Sequence, residues 1–403
     1  MWGIVPPTGG KIGVSEIAAG LTAIFVPGGA PLRLEGIDVP LLGVSSGRAA
    51  LYAILQSMAV LHPERDVVII PAYTCYSVAA AVVRSGLKVK LVDVEPSTLA
   101  MDPLALERAC DEAVLAVVHT ELFGIIGPMD EYMAIARKTG AYLLEDSAQA
   151  YGANLRGNMA GTLGDVGIFS VGRGKPIRGI AGGVIVLCRA ELHIATRETV
   201  AGWSMAGLWR RMLEVVRLCA YRICFHPALY RLLESIPALG IGNTEYDPEF
   251  YVGQLAPSQC RIAEAAAHRS MRERPERLKK IRRLTSPQGM MTTFEFPRCE
   301  GGEMGSVPRL PVLAANKAAR DQAISAMRMK RIGASIMYPK ALCCLDALSS
   351  HRLEKKVHCA GAEELAQRLF TLPVHELVGP QEIAIMREVL FTGNAGNLGK
   401  QDK

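Results

Sequence analysis

Between residues 40 and 190, short runs rich in Val, Ile and Leu alternate with longer stretches that have a helical pattern. The runs are nearly continuous in apolar residues, which indicates strands covered on both faces. This alternation predicts an α/β unit with a largely parallel sheet, whose functional residues collect at the carboxyl ends of the strands. The predicted strands are 67–70, 89–93, 114–119, 142–146, 166–170 and 183–187, and the predicted helices are 74–84, 103–110 and 129–139.

The rest of the chain lacks this alternation. Residues 190–285 have a mostly helical pattern, and their most apolar part, 215–241, is interrupted by arginines and does not make a clean membrane span. Residues 286–403 are typical of a smaller α+β unit that ends in a polar tail. Its predicted elements are a strand at 309–312 and helices at 317–330 and 363–368, and the tail covers 394–403.

Composition excludes several classes of protein. The net charge of +6 is spread over 403 residues, and no run of Lys and Arg is dense enough for a nucleic-acid groove, so we expect no nucleic-acid partner. The start of the chain has no basic segment before an apolar run, and we expect a cytoplasmic protein without a secretion signal. None of the ten cysteines forms a Cys-x-x-Cys pair, so we expect reduced thiols and no structural metal site.

Three polar residues stand where strands of the predicted sheet end. Asp146 ends one strand, Ser170 ends another, and Lys175 follows five residues later in a Gly-rich turn. Pyridoxal phosphate (PLP) needs a lysine amine for a Schiff base, a carboxylate at its pyridine nitrogen, and hydroxyl or N–H groups at its phosphate. The three residues suit these roles. On pattern alone, an Asp that caps a helix and a solvated Lys in a turn are the more common explanations.

Several short motifs follow one another in a fixed order along the chain. The most specific are Glu-Asp-Ser-Ala-Gln-Ala at 145–150 and the stretch 164–175. In this order the chain resembles the DegT/StrS family of PLP-dependent sugar aminotransferases, from about residue 4 to residue 392, with a weaker likeness at 190–250. The other matching motifs are Ser46–Leu51, Pro71–Thr74, Gly86 with Val92–Asp93, Phe123–Gly124, Gly333 with Tyr338–Pro339, and Leu372–His375.

The resemblance implies a two-domain architecture. The fold class is α/β, with an aspartate-aminotransferase-like (fold type I) large domain that has a mostly parallel sheet, and a smaller C-terminal α+β domain. We expect the PLP-binding large domain at 1–250, with a helical and divergent part at 190–250, and the smaller domain at 251–403. The resemblance also implies a homodimer, because PLP folds of this type build their site at a subunit interface.

The resemblance assigns the main site residues. Lys175 carries the Schiff base and moves protons, Asp146 pairs with the pyridine nitrogen, Gln149 lies by the ring hydroxyl and Ser170 binds the phosphate. A lysine at 175 distinguishes the chain from the family's sugar dehydratases, which carry His there.

Other positions depart from the family pattern or rest on it alone. Gly47 and Arg48 open a helix whose N-terminus faces the phosphate, and Arg48 stands where Thr or Ser is usual, so its guanidinium is either a phosphate ligand or exposed. Cys75 stands where an aromatic side chain often stacks on the cofactor ring, and Tyr76 is the candidate replacement. Tyr338 is a candidate substrate ligand by family pattern.

Two further positions bear on the site. Gln254 lies where the family often has an Asn-x-Arg segment that reaches the partner's cofactor, which puts the cross-subunit contact in doubt. His119, at a strand end, is either a site residue or, more commonly for such a position, a hydrogen-bonded core histidine.

The expected activity is transfer of an amino group from glutamate, or a similar donor, to a keto sugar, nucleotide-linked by resemblance, for surface polysaccharide or glycoside synthesis. Two alternatives stay open. The first is a PLP enzyme for an unusual or lipid-linked keto substrate, in which the apolar region 203–241 makes a peripheral membrane contact through arginines beside apolar faces. The second is a non-catalytic regulatory or scaffold protein that kept the fold.

Overall fold

The computed structural model describes residues 3–27, 31–234, 245–286, 292–299, 301–349, 353 and 357–391. Two predicted features lie wholly or partly outside these residues: the polar tail at 394–403, and positions 235–241 of the apolar stretch.

The described chain alternates strands and helices as predicted between residues 40 and 190. The strands are β1 (Leu41–Val44), β2 (Val67–Pro71), β3 (Lys88–Val92), β4 (Val114–Thr120), β5 (Tyr142–Asp146), β6 (Asn154–Leu155), β7 (Asn158–Met159), β8 (Val166–Ser170), β9 (Gly183–Val186), β10 (Gly302–Glu303), β11 (Arg309–Leu313) and β12 (Leu369–Pro373). The helices are α1 (Val14–Thr22), α2 (Gly47–Leu61), α3 (Tyr76–Arg84), α4 (Pro103–Ala109), α5 (Met129–Thr139), α6 (Ala190–Ala201), α7 (Leu208–Cys224), α8 (Pro227–Glu234), α9 (Pro257–Thr285), α10 (Lys317–Met329), α11 (Asp346–Ser349), α12 (Ala360–Arg368) and α13 (Pro380–Phe391).

A seven-stranded sheet forms the centre of the fold, in the order β1–β9–β8–β5–β4–β2–β3. The strands from β3 to β8 in this order are mutually parallel, whereas β9 runs antiparallel to both β8 and β1. β4 and β5 are buried at every residue, as expected for strands covered on both faces. The prediction of a largely parallel α/β sheet is therefore confirmed.

A second hydrophobic core forms in the C-terminal part of the chain. The antiparallel pair β11 and β12 supplies Leu310, Val312, Phe370 and Leu372, and helix α13 adds Met386. Helix α9 contributes at its two ends to different cores, since its first turns pack with the large sheet and its last turns pack with this second core. A smaller C-terminal unit is consistent with this packing, and the boundary at 250/251 stays a prediction.

Helix α7 keeps part of its apolar surface exposed. Leu218 is buried, whereas Trp209, Val216 and Ile223 are largely exposed. Among the described helices, none is both long and apolar enough to cross a membrane.

Candidate active site

The predicted site residues converge at the carboxyl edge of the central sheet. Asp146 ends β5 and Ser170 ends β8, and these two strands are neighbours. The chain then makes a tight turn that carries Lys175. The turn is closed by backbone hydrogen bonds from Gly172 N–H to Ile177 O (3.0 Å) and from Lys175 N–H to Gly172 O (3.3 Å). Lys175 is thus held on a short, fixed loop beside the ends of the strands.

The Asp146 carboxylate is buried next to this loop. Its Oδ1 accepts a hydrogen bond from Ala148 N–H at 3.1 Å, and the side chain is almost wholly shielded from solvent. Burial raises the pKa of Asp146, and the positive charge of Lys175 acts in the opposite direction. A buried carboxylate is most stable beside a cation, and a protonated pyridine nitrogen is one.

The amine of Lys175 is uncommitted. The residue is half-buried, and within the described part of the chain its ammonium makes no hydrogen bond or ion pair. A Cβ atom at Gly172 would lie 3.3 Å from the Lys175 Cγ, so glycine at 172 leaves room for the lysine stem. An accessible, unpaired amine is what Schiff-base formation requires.

Ser170 faces the start of helix α2. A Cβ atom at Gly47 would lie 3.3 Å from the Ser170 Oγ, so any larger residue at 47 would crowd the serine hydroxyl. Ser46 caps the helix by accepting from Ala49 N–H at 3.1 Å, and the first N–H groups of the helix lack intrahelical partners. A hydroxyl next to a helix N-terminus suits a phosphate group.

The guanidinium of Arg48 has protein partners in this structure. It lies 3.6 Å from the Asp247 carboxylate, donates to the Asp247 carbonyl at 3.3 Å, and lies 5.2 Å from the centre of the Phe250 ring. A phosphate contact through this side chain would compete with those interactions, whereas the backbone N–H of Arg48 has no such competition.

Gln149 and Tyr338 are hydrogen-bonded to each other. Gln149 Nε2 donates to the Tyr338 hydroxyl at 3.2 Å, and its Oε1 accepts from Phe123 N–H at 3.4 Å. The Tyr338 ring is buried and lies 5.9 Å from the ring of Tyr76. The Tyr76 hydroxyl donates to Lys340 O (3.0 Å) and accepts from Lys340 N–H (3.1 Å). Tyr76 is therefore fixed to the segment that carries Tyr338, and its stacking role stays a prediction.

Two other sequence candidates have structural partners. His119 is buried, its Nε2 accepts from Gly127 N–H at 3.3 Å, and its ring packs on Tyr132 at 5.0 Å. Burial lowers the pKa of His119 to about 4, so the ring is neutral, and the interpretation as a core histidine is confirmed. The Gln254 Nε2 donates to the carbonyls of Val200 (3.1 Å) and Trp203 (3.0 Å) of its own chain.

Arg309 lies beside the candidate site, a placement that the sequence did not reveal. It was predicted only as the first residue of a strand, because one Arg beside an apolar run carries no functional signal. Its Nη1 lies 3.0 Å from the Met337 Sδ, and a Cβ atom at Gly174 would lie 3.1 Å from its Nη2. Among the described residues no carboxylate forms an ion pair with Arg309, and burial lowers its pKa. An unpaired guanidinium thus lies beside the turn that carries Lys175.

A pair of buried carboxyl groups lies directly behind Asp146. Glu121 N–H donates to the Asp146 carbonyl at 3.1 Å, and the Glu121 side chain is fully buried beside Glu145. Glu145 accepts from the N–H groups of Gly161 (2.7 Å) and Gly164. Burial and the nearby Glu145 charge raise the pKa of Glu121 well above its usual range, and burial raises that of Glu145 to about 7. The pair therefore holds a proton at neutral pH.

This pair predicts a pH dependence of stability. Above the ordinary glutamate pKa of 4.5, the unfolded chain releases protons that the folded chain keeps, so the free energy of unfolding should fall as pH rises towards about 7. We expect Glu121→Gln to be more stable than the unmodified protein at pH 8 and to show a shallower fall between pH 5 and pH 8, measured by urea denaturation. Glu107→Gln, at an exposed ion pair with Lys138, serves as the control. Equal pH slopes for Glu121→Gln and the unmodified protein would rule this explanation out.

The assembled groups match the needs of PLP. Lys175 offers a free amine, Asp146 a buried carboxylate, and Ser170 a hydroxyl at a helix start that glycine at 47 keeps open. In type they suit the aldehyde, the protonated pyridine nitrogen and the phosphate of PLP, in that order. The site residues therefore fit PLP as their cofactor.

Comparison with known proteins shows which family this part of the chain resembles. Residues 40–211 match the model of the DegT/DnrJ/EryC1/StrS aminotransferase family. The L-glutamine:2-deoxy-scyllo-inosose aminotransferase of Streptoalloteichus tenebrarius is 38% identical over 148 residues, which cover 37% of this chain and 34% of that protein. The UDP-N-acetyl-3-dehydro-alpha-D-glucosamine 3-aminotransferase of Acidithiobacillus ferrooxidans is 34% identical over 170 residues, which cover 42% of this chain and 44% of that protein. The chain thus spans less than half the length of these two curated relatives.

The fold extends beyond the matched segment. The Escherichia coli GDP-4-keto-6-deoxy-D-mannose-3-dehydratase, solved with bound hydrated PLP, superposes with a TM-score of 0.75 at 19% identity, covering 97% of this chain and 100% of that one. This likeness shows the fold and confirms the predicted fold class. Over residues 40–211 the chain is therefore similar to the DegT/DnrJ/EryC1/StrS aminotransferase family, and over nearly its whole length it shares the fold of the dehydratase.

Proposed function

We propose that this protein is a PLP-dependent aminotransferase that moves an amino group from glutamate, or a similar donor, to a keto sugar. The observation that carries the proposal is the unpaired amine of Lys175 beside the buried carboxylate of Asp146 at the carboxyl edge of the sheet. The two relatives named above are both aminotransferases by name. Because the dehydratase shares the fold, the fold alone does not choose between the reactions, and the lysine at position 175 favours amino transfer.

Each site residue has a defined task in this proposal. When bound, PLP supplies an electron sink for the bond that breaks at the substrate carbon. Lys175 Nζ holds the cofactor, then takes a proton from that carbon as a base and returns one as an acid. Asp146 keeps the ring nitrogen protonated, Gln149 lies by the ring hydroxyl, and Ser170 with the N–H groups of Gly47 and Arg48 holds the phosphate.

The acceptor in this proposal is a nucleotide-linked keto sugar used for surface polysaccharide or glycoside synthesis. The nucleotide-linked substrate in the name of the Acidithiobacillus relative supports it, whereas the Streptoalloteichus relative is named for a free keto cyclitol. The test is a product assay by mass spectrometry, with glutamate or glutamine as donor and with a UDP-linked keto sugar or a free keto cyclitol as acceptor. Amination of the UDP-linked sugar is expected. If only the cyclitol is aminated, the acceptor is a free keto cyclitol and not a nucleotide-linked sugar. If neither compound is aminated, the proposal of a keto-sugar substrate is contradicted.

Arg309 is proposed to bind the carboxylate of the amino donor. Its guanidinium is unpaired among the described residues and borders the Lys175 turn, and Arg binds carboxylates with paired hydrogen bonds. Arg309→Gln should raise KM for the donor about 10- to 100-fold, the range for a lost charged hydrogen bond. The visible absorbance of the bound cofactor should not change.

Steady-state kinetics with varied donor and fixed acceptor measures this effect. Arg156→Gln, which removes an exposed arginine paired with Asp130, is the control and should leave KM unchanged. An Arg309→Gln variant with unchanged donor KM would refute the assignment.

A homodimer is part of the proposal. The exposed apolar side chains Trp209, Val216 and Ile223 of α7 favour burial against another surface. Sedimentation of the PLP-loaded protein should give twice the monomer mass, and a fully active monomer would contradict this.

A further inference from the structure

Three cysteine thiols and a carboxylate come together away from the PLP site. Cys343 and Cys344 lie in the short 3-10 turn Leu342–Cys344, and Cys359 directly precedes helix α12 as its N-cap residue. The Sγ of Cys343 lies 3.8 Å from the Sγ of Cys344 and 3.8 Å from a carboxylate oxygen of Glu363. The ligand atoms of these three residues all lie within 4.8 Å of one another. Cys359 lies beside Cys343, but its Sγ is not one of the three ligand atoms that lie within 4.8 Å of one another.

These distances match a tetrahedral metal centre. With zinc–sulfur bonds of about 2.3 Å, two ligand atoms of a tetrahedral site lie about 3.8 Å apart. The Cys343–Cys344 pair and the Cys343–Glu363 pair therefore have the spacing of ligands that share one metal ion. Thiolates favour zinc over magnesium or calcium, and a structural zinc site takes four protein ligands.

The surroundings of the cluster support a cation. The four groups all become anions when they lose their protons, so they repel one another unless a cation lies between them. Asp93 adds another negative charge nearby, since its carboxylate accepts from Gly361 N–H and Ala362 N–H at 2.9 Å each. His358 Nδ1 lies 2.9 Å from the Glu363 carboxylate, a contact that orients a metal-ligating group in many sites.

We propose that Cys343, Cys344 and Glu363 bind one structural zinc ion, and that Cys359, beside Cys343, supplies the fourth ligand. Cys343 and Cys359 are buried and Cys344 is exposed, so the ion reaches the site from the Cys344 side. Sequence spacing gave no sign of it, because the thiols lie on two separate segments and the chain has no Cys-x-x-Cys pair.

The zinc ion joins α12 to the segment that carries Tyr338. That segment is also attached to the large sheet, because Leu342 N–H donates to Ala72 O at 2.8 Å and Lys340 contacts the Tyr76 hydroxyl. Metal-binding free energy adds to folding free energy when the ligands come from separate segments. Loss of zinc should therefore lower the melting temperature.

The test is metal analysis of the full-length, PLP-loaded protein, purified under reducing conditions without chelators. Inductively coupled plasma mass spectrometry should find about one zinc ion per chain. The double variant Cys343→Ser/Cys359→Ser should lose it, whereas Cys219→Ser, at a half-buried cysteine of α7, should keep it.

A second measurement does not depend on the folding of any variant. Metal-free full-length protein titrated with Co²⁺ should develop thiolate-to-metal and tetrahedral absorbance bands that saturate at about one equivalent, and zinc should displace them. Absence of zinc as purified together with no saturable Co²⁺ bands would overturn the proposal. A disulfide within the cluster of the freshly reduced protein, detected by peptide mass analysis, would overturn it as well.

Discussion

Replacing Lys175 with alanine is expected to abolish amino transfer and to remove the visible absorbance band of the bound cofactor. Both losses have one cause. The Lys175 Nζ is proposed to form the covalent bond to the cofactor and also to move protons at the substrate carbon. Loss of the proton-transfer role alone should lower kcat about 10²- to 10⁴-fold. Absorbance spectra and single-turnover rates of the PLP-saturated variant measure the two effects separately.

Lys175→Arg separates charge from nucleophilicity. Arginine keeps the positive charge near Asp146 but does not form a stable Schiff base, since it stays protonated in proteins. We expect this variant to lose the visible band as well. A normal visible band in Lys175→Ala would disprove the assignment of Lys175, whatever the activity.

The second large effect is expected at Asp146. Asp146→Asn keeps an oxygen that can accept from Ala148 N–H, so the turn should fold normally while the charge at the ring nitrogen is lost. Removing one partner of a buried charge pair costs about 3–5 kcal/mol, which corresponds to roughly 10²- to 10⁴-fold in kcat/KM. Steady-state kinetics at saturating PLP checks this.

A modified cofactor distinguishes charge from packing at Asp146. PLP methylated at its pyridine nitrogen carries a permanent positive charge, so its electron-sink capacity does not depend on a carboxylate that keeps a proton in place. We expect it to restore part of the activity of Asp146→Asn and to give no gain with the unmodified protein. Wild-type activity of Asp146→Asn with ordinary PLP would contradict the proposed role.

The central part of the fold was predictable from sequence because its signals are local. The strand Tyr142–Asp146, the strand Val166–Ser170 and the helix Met129–Thr139 begin and end as predicted. Their apolar runs are long, and turn residues bound them. The strand Leu41–Val44 was not predicted, because it is short, contains glycine and is defined by pairing with the distant strand Gly183–Val186.

Helix boundaries were less predictable where distant residues set them. Helix α12 begins at Ala360, three residues before the predicted start at Glu363. Its first N–H groups are capped by the side chain of Asp93, which lies far away in the sequence. No pattern near residue 360 signals a cap supplied by a residue as distant in the sequence as Asp93.

The residues of the candidate site also differ in how far local sequence predicts their position. The placement of Asp146, Ser170 and Lys175 near one edge of the sheet was predictable from sequence, because parallel strands bring their carboxyl ends to one edge. Arg309 and Glu121 come close to the site only through tertiary packing. Their residue types and spacing carry no signal in the sequence alone.

The central claim, that this chain is a PLP-dependent aminotransferase, is tested most directly by an absorbance spectrum of the purified protein from about 300 to 500 nm, before and after excess glutamate. The proposed function predicts a visible band that glutamate converts to a band at shorter wavelength, as the amino group passes to the cofactor. A protein that shows no visible band after incubation with PLP and removal of the unbound cofactor would contradict it.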